Sequence, residues 1–365
     1  MSLARFDRER LLRARRLRVF RRVLGLARLA CSVALLLAVY WSGSVPAFAA
    51  ALAPYGSIAR AAATIALVLV AVWAVGVPFA LAIYRRERVE GLSVQPPPSF
   101  AIDQLKALAL NVALIGIASV GWYGIEQLPL TSLAIGLAAF TLAAIATLAG
   151  PLLLRAFYRL EPVDADLAAR VRSVGERAGV RVGEVRSWRL SEKATTANAA
   201  VLGLGPTKQI AIADTLARAR PPEQVEAVVA HELAHVVHRD TARGVLVFGA
   251  SLAVALLALR IALDAWTPQG AGDVATYPLL LAGLELLALV GTPVVLAYSR
   301  SREAAADAFA SRLVAPSAMA GALVWLAETN LSDPEPPRWD EILFMSHPSI
   351  GSRLRALGVG PATLS

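Results

Sequence analysis

Six runs of mainly apolar residues punctuate the chain: Val23–Tyr40, Ala61–Tyr84, Leu105–Ile125, Thr131–Leu154, Gly244–Leu263 and Tyr277–Tyr298. A helix needs about 20 such residues to cross the roughly 30 Å of hydrocarbon in a bilayer. Backbone groups in hydrocarbon have no water to bond, so each run is predicted to be helical. A polar stretch, Arg155–Arg243, separates the fourth run from the fifth, and here the periodicity changes. Over Asp164–Ala178, the residues Leu167, Val171 and Val174 recur on one face at helical spacing. Val180–Leu190 and Lys208–Ala213 alternate as strands do, with Gly203, Gly205 and Pro206 predicting a turn between them. Pro221-Pro222-Glu223 combines the proline and acid that favour a helix start, and that helix runs on toward the fifth apolar run.

Composition agrees with the pattern. Of 365 residues, 57% are hydrophobic and only 17% charged, and the mean hydropathy is +0.58. These values are too apolar for an ordinary soluble protein. The net charge of +9 is localised, with nine arginines against Asp7 and Glu9 in the first 22 residues. Basic residues beside a transmembrane run mark its cytoplasmic side, so the excess is not a nucleic-acid signature. With that end inside, six spans place residues 85–104, 155–243 and 299–365 in the cytoplasm. Residues 41–60, 126–130 and 264–276 then lie outside, where only Arg60 is basic. Ala47-Phe48-Ala49 has the small-residue form of a signal-peptide cleavage site, but its depth in the chain favours a retained first span. The lone Cys31 leaves no intrachain disulfide. Three lysines against 33 arginines suggest a GC-rich bacterial source, hence the inner (plasma) membrane.

Chemistry enters at His231-Glu232-Leu233-Ala234-His235, an H-E-x-x-H motif. Residues four apart share a helix face, so His231 and His235 can offer two imidazoles to one tetrahedral Zn²⁺. Glu232 then reaches the remaining position, where a metal-bound water sits. Zinc lowers that water's pKa to about 7, and a neighbouring carboxylate can take its proton as it attacks a carbonyl. Three of the four histidines fall between His231 and His238, on an otherwise apolar helix carrying Val225, Val228, Val229, Leu233, Val236 and Val237.

A third ligand must come from elsewhere. Cys31 lies inside the first span, whereas Glu303 sits where the sixth span ends, at the depth at which the metal helix enters the fifth. Asp307, one turn on, can accept the second ring N–H of a metal-bound histidine. His238 lies about 7.5 Å along the helix axis from the midpoint of His231 and His235, too far to share their metal, and reads as a surface or interfacial residue. His347, in Ser346-His347-Pro348, can donate to an oxyanion or serve as a cap, and both readings stand. Glu285 falls in the middle of the sixth run, with Arg260 as the nearest expected partner. Such a pair is either a staple across the hairpin or part of a hydrated intramembrane chamber.

These residues resemble the integral-membrane gluzincins comprising the type I CaaX prenyl protease and HtpX. Ile83–Gly91 followed by Asp103-Gln104-Leu105-Lys106, the segments Asn198–Gly205 and Ile210–Leu216, and Tyr298–Ala310 around Glu303 carry the likeness, with Ser346-His347-Pro348 and Arg353-Leu354. The resemblance implies zinc on His231, His235 and Glu303, Glu232 as general base, and Asp307 behind the ligands. It also implies that Asn198 and its strand pair with an extended substrate backbone, and that His347 and Arg353 steady the oxyanion. The continuation Val236-Val237-His238-Arg239-Asp240 is closer to the HtpX branch, and six spans are fewer than the seven of the eukaryotic CaaX enzyme.

The expected fold is therefore mainly α, a polytopic membrane protein with about six transmembrane helices and a small α+β zincin-like cytoplasmic catalytic domain. The expected order is a basic tail (1–22), a four-span region (23–154), a catalytic region (155–243), a transmembrane hairpin (244–298) and a second catalytic segment (299–365). The expected activity is that of a zinc-dependent membrane endopeptidase, with one Zn²⁺ per chain and membrane-associated or misfolded proteins as substrates. The lipid bilayer is its other partner, and no nucleic acid is expected. The alternative is a catalytically silent membrane scaffold or sensor, but such a protein has no need of Glu232.

Overall fold

The structure, a computed structural model, describes residues 7–202, 209–219 and 221–358. Six of its helices are long and apolar enough to cross a membrane. Four come first: α1 (Arg8–Trp41), then α3 (Ser57–Val89), α4 (Pro97–Ile125) and α5 (Thr131–Leu148), with the short α2 (Ser44–Ala51) between the first two. The fourth apolar run is broken in two. Helix α5 stops at Leu148, and α6 (Gly150–Phe157) restarts with Pro151 in its first turn, where a missing N–H is harmless.

The polar stretch folds into a small mixed sheet with helices on it. β1 (Leu160–Pro162), α7 (Ala165–Arg177), β2 (Glu184–Trp188), β3 (Ala199–Leu202), β4 (Gln209–Ala213) and α8 (Asp214–Ala219) lead to the motif helix α9 (Pro222–Val237). The Asp164 carboxylate caps α7 by accepting the Leu167 N–H at 2.8 Å, and Val171 and Val174 lie on its buried face. Strand order is β1-β2-β4-β3, with β2 parallel to β4 and the other pairings antiparallel. Both predicted strands are present, the first shortened to Glu184–Trp188 and the second described from Gln209 to Ala213. The expected turn at Gly203, Gly205 and Pro206 lies outside the described residues. β4 is buried throughout, and its Ile210 and Ile212 share a core with Val171, Trp188, Val225, Val229 and Leu233. That core anchors α9 against the sheet.

Helix α10 (Asp240–Trp266) and helix α11 (Tyr277–Leu313) form the returning hairpin; α12 (Pro316–Thr329), α13 (Arg338–Phe344) and α14 (Ile350–Ala356) follow. α10 packs along α5, and α1 packs against α3 and α11. The 37 residues of α11 make a rod of about 55 Å at 1.5 Å per residue, well beyond roughly 30 Å of hydrocarbon. Its far end therefore leaves the apolar layer and reaches α9.

The expected Arg260–Glu285 pair does not form. Arg260 donates Nε to the Glu126 carboxylate at 3.0 and 3.1 Å, at the end of α4. Glu285 instead accepts from Ser32 Oγ of α1 at 2.9 Å. A charge near the end of one helix finds the end of its neighbour first, and an intramembrane carboxylate accepts whatever donor faces it.

Candidate active site

Helix α9 starts at Pro222, and its last residue is Val237. His238 caps it, and Arg239 then takes a left-handed conformation with φ 55°, so the next helix starts afresh at Asp240. The motif helix and the fifth span are thus two rods joined at a corner. His231 and Glu232 line a cavity of about 690 Å³, walled by β3 on one side and α12 on the other, with His347 and Arg353 at its rim.

Helix α11 brings Glu303 between the two motif histidines. Its Oε2 is 3.1 Å from His231 Nε2, and its Oε1 is 3.4 Å from His235 Nε2. One donor atom from each residue can be chosen with all three within 4.8 Å of one another. Ligands about 2.0–2.1 Å from a tetrahedral zinc stand about 3.4 Å apart, so the spacing suits that metal. Glu303 is only 4% exposed, and its Oε2 has no hydrogen-bond partner among the described residues. His347 Nδ1 also comes within 2.7 Å of this oxygen. A buried carboxylate oxygen that faces imidazole nitrogens without hydrogen-bond geometry is an arrangement of lone pairs, which a shared cation would satisfy.

Each of the two candidate metal-binding imidazoles is held from behind by an acid, and each acid by an arginine. His231 Nδ1 is 2.9 Å from Asp307 Oδ1, and Arg353 clamps both Asp307 oxygens at 2.7 Å. His235 Nδ1 is 2.9 Å from Asp240 Oδ2, and Arg302 Nε donates to Asp240 Oδ1 at 2.6 Å. Such partners fix ring orientation and make the facing nitrogen more basic. Sequence reasoning found Asp307 but missed Asp240 and Arg302. Asp240 lies five residues past His235 and reaches it only because the backbone turns at Arg239. Asp240→Asn is expected to weaken zinc binding by about 10- to 100-fold. Competition with a fluorescent chelator measures this, and unchanged affinity would remove Asp240 from the site.

Charge and burial shape the acid–base character. Burial opposes protonation of His231, but the carboxylates of Asp307 and Glu303 outweigh it and push the group up to about 9. Glu232 is half-buried against the cavity, and burial pushes its carboxyl up against the pull of His231 and His235. Among the described residues, no hydrogen bond or ion pair holds that carboxylate, which leaves it free to exchange a proton.

The remaining predicted residues are placed as follows. His238 is turned away, its ring edge-on to Phe309 at 5.7 Å, and it is not part of the donor cluster. Asn198 precedes the edge strand β3 at the cavity wall, where its Oδ1 accepts the Ala199 N–H at 2.9 Å. Arg353 spends two of its donor nitrogens on Asp307 rather than pointing them into the cavity.

Residues 161–359, more than half of the chain, match peptidase family M48. The chain is similar to the "Protease HtpX homolog" of Trichormus variabilis, at 29% identity over 277 residues, covering 70% of this chain and 96% of that protein. It is also similar to "Uncharacterized metalloprotease YhfN" of Bacillus subtilis, at 28% identity over 211 residues, 54% of this chain and 48% of that one. Among solved structures, S. mikatae Ste24p superposes with a TM-score of 0.81 at 20% identity, covering 96% of this chain and 89% of that chain. The likeness to Ste24p shows that the whole fold, spans and sheet together, is shared. The chain therefore belongs to peptidase family M48 and is an integral-membrane metalloprotease of the gluzincin type.

Proposed function

We propose that the chain is a zinc-dependent endopeptidase acting on membrane-associated or misfolded proteins, with Glu232 as general base. The observation that carries this reading is the buried Glu303 carboxylate wedged between His231 and His235, with an unencumbered Glu232 beside it. His231, His235 and Glu303 would hold a zinc ion, which would supply Lewis acidity at the cavity. Glu232 takes the proton from the attacking water and passes it to the leaving amine. The free edge of β3, beginning beside Asn198, offers backbone groups to an extended peptide. In this reading His347, more than half exposed and lining the cavity, donates to the developing oxyanion. Arg353 acts one step back, holding Asp307 and through it His231.

What adjoins the cavity supports the proposed substrate class. A second cavity of about 550 Å³ shares Arg21, Tyr158 and Thr196 with the first, and is lined by Leu24, Phe79 and Ile83 from the spans α1 and α3. Cavities that share these walls, one beside the spans and one at Glu232, support a substrate that arrives from the bilayer side. The arginine bias of the loops supports a cytoplasmic site in a bacterial inner membrane. A silent scaffold would leave the free Glu232 without a use.

The test is metal removal and return. Chelation of the purified protein in lipid is expected to abolish cleavage of membrane-protein substrates, and one equivalent of Zn²⁺ to restore it. Full cleavage by the metal-free protein would sink the reading. Protonated His231 has no lone pair to give, so apparent zinc affinity should fall about tenfold per pH unit as pH drops below about 9.

A further inference from the structure

The arginine-rich start of α1 does more than flank a span. Ala14 and Leu17 on one face of this extension are buried against Leu92 and Leu331. Beside that apolar patch, Arg18 reaches both Asp333, at 3.2 Å, and Asp340, at 3.4 Å. Arg22 donates Nε to Asp340 at 2.9 Å and Nη2 to the Phe344 carbonyl at 3.4 Å. Asp340 is fully buried and Asp333 nearly so, whereas a charge bias serving only topology needs no buried partners.

What these arginines hold is the approach to the site. Asp340 lies in α13, whose end leads through Met345 and Ser346 directly to His347. From the other side Arg300 of α11, three residues before Glu303, donates Nη1 to the carbonyls of Glu341, Ile342 and Met345 at 3.0, 3.2 and 2.8 Å. The segment carrying His347 is thus gripped between the first and last spans. His347 itself meets the donors through Nδ1 alone, 2.7 Å from Glu303 Oε2, and its side chain is 57% exposed, so the backbone of its segment sets where the ring stands.

We infer that the basic extension of α1 is an intramolecular clasp that sets His347 over the metal-binding donors, with Asp340 as its positioning residue. The inference rests on the endopeptidase reading above. Asp340 touches neither donors nor cavity and acts through His347. A reacting group displaced by about 1 Å can lose up to 100-fold in rate, so a clear effect on catalysis is expected.

The experiment is a double-mutant cycle in the full chain, reconstituted in lipid and loaded with zinc. Asp340→Asn should lower kcat/KM about tenfold in the presence of His347 and less than about twofold in a His347→Ala background, with zinc content unchanged. The same loss in both backgrounds, or none in either, overturns the clasp. A second readout needs no activity: amide hydrogen exchange of the metal-free chain should quicken at Met345–His347 in Asp340→Asn, but not across Pro222–Val237. Unchanged exchange at Met345–His347 also overturns it. Should Asp340→Asn fail to fold, Arg22→Gln, whose side chain is 32% exposed, carries the same cycle, and the same results support or overturn the clasp. Glu232→Gln in the same assay separates the two ideas. Cleavage that needs Glu232 but ignores Asp340 sinks the clasp alone, and cleavage indifferent to Glu232 sinks the endopeptidase reading beneath it.

Discussion

Glu232→Gln should retain one zinc per chain and lose about 10²- to 10⁴-fold in kcat, the range supplied by a positioned general base. The substitution keeps the side chain's size and removes only its ability to hold a proton. Glu232 falls outside the candidate donor cluster of His231, His235 and Glu303 among the described residues. Metal content and thermal transition should therefore stay at wild-type values while turnover collapses. The pH profile gives a second check. A base works deprotonated, and burial raises the Glu232 carboxyl, so activity should fail on the acid side at a higher pH than an ordinary glutamate would dictate. With zinc kept saturating across the pH range, that limb should vanish from any residual activity of the glutamine variant. Turnover within about threefold of wild type would remove Glu232 from the chemistry.

Glu303→Gln should do the opposite, emptying the site rather than silencing it. The amide fits the same space but offers a neutral, weaker donor to a dication. Zinc affinity is expected to fall by more than the roughly 100-fold that loss of an outer partner can cost. Metal analysis after dialysis reads this directly, and activity should return only at high added zinc. The fold itself should not suffer, because the wild-type Oε2 is buried without a hydrogen-bond partner. A variant that keeps zinc at wild-type affinity would place the third ligand elsewhere.

The parts of this molecule legible in its sequence are those with a local period. Hydrocarbon imposes long apolar runs; five of the six predicted runs lie within helices long enough to span, and the fourth does so as far as Leu148. The four-residue spacing of His231 and His235 needs nothing beyond one helix, and that of Glu303 and Asp307 likewise. What stayed hidden depends on where separate elements meet. Asp240 turns back to His235 because Arg239 adopts a left-handed conformation that no residue-type pattern announces. Arg260 reaches Glu126 rather than Glu285 because the helix ends lie side by side. The N-terminal arginines read as a topology signal, and their buried partners Asp333 and Asp340 lie more than 300 positions away. The break within the fourth run at Gly150-Pro151 was visible as a proline, but a proline tolerated in a first turn does not say whether the helix resumes.

Helix α11 runs from the bundle to the candidate metal donors as one continuous helix, with Pro293 inside it, and this ties Glu303 to the bilayer. A chain with a loop at this point can correct a slipped span in its linker, but a continuous helix transmits the slip. Each residue added to or removed from the membrane portion turns everything beyond it by about 100° and shifts it by about 1.5 Å. The azimuth of Glu303 around its axis is thus set by residues buried in lipid, many turns from the chemistry. Length variation in this span is tolerable only in steps close to whole turns, such as seven residues. The sixth span carries a phase as well as a hydropathy.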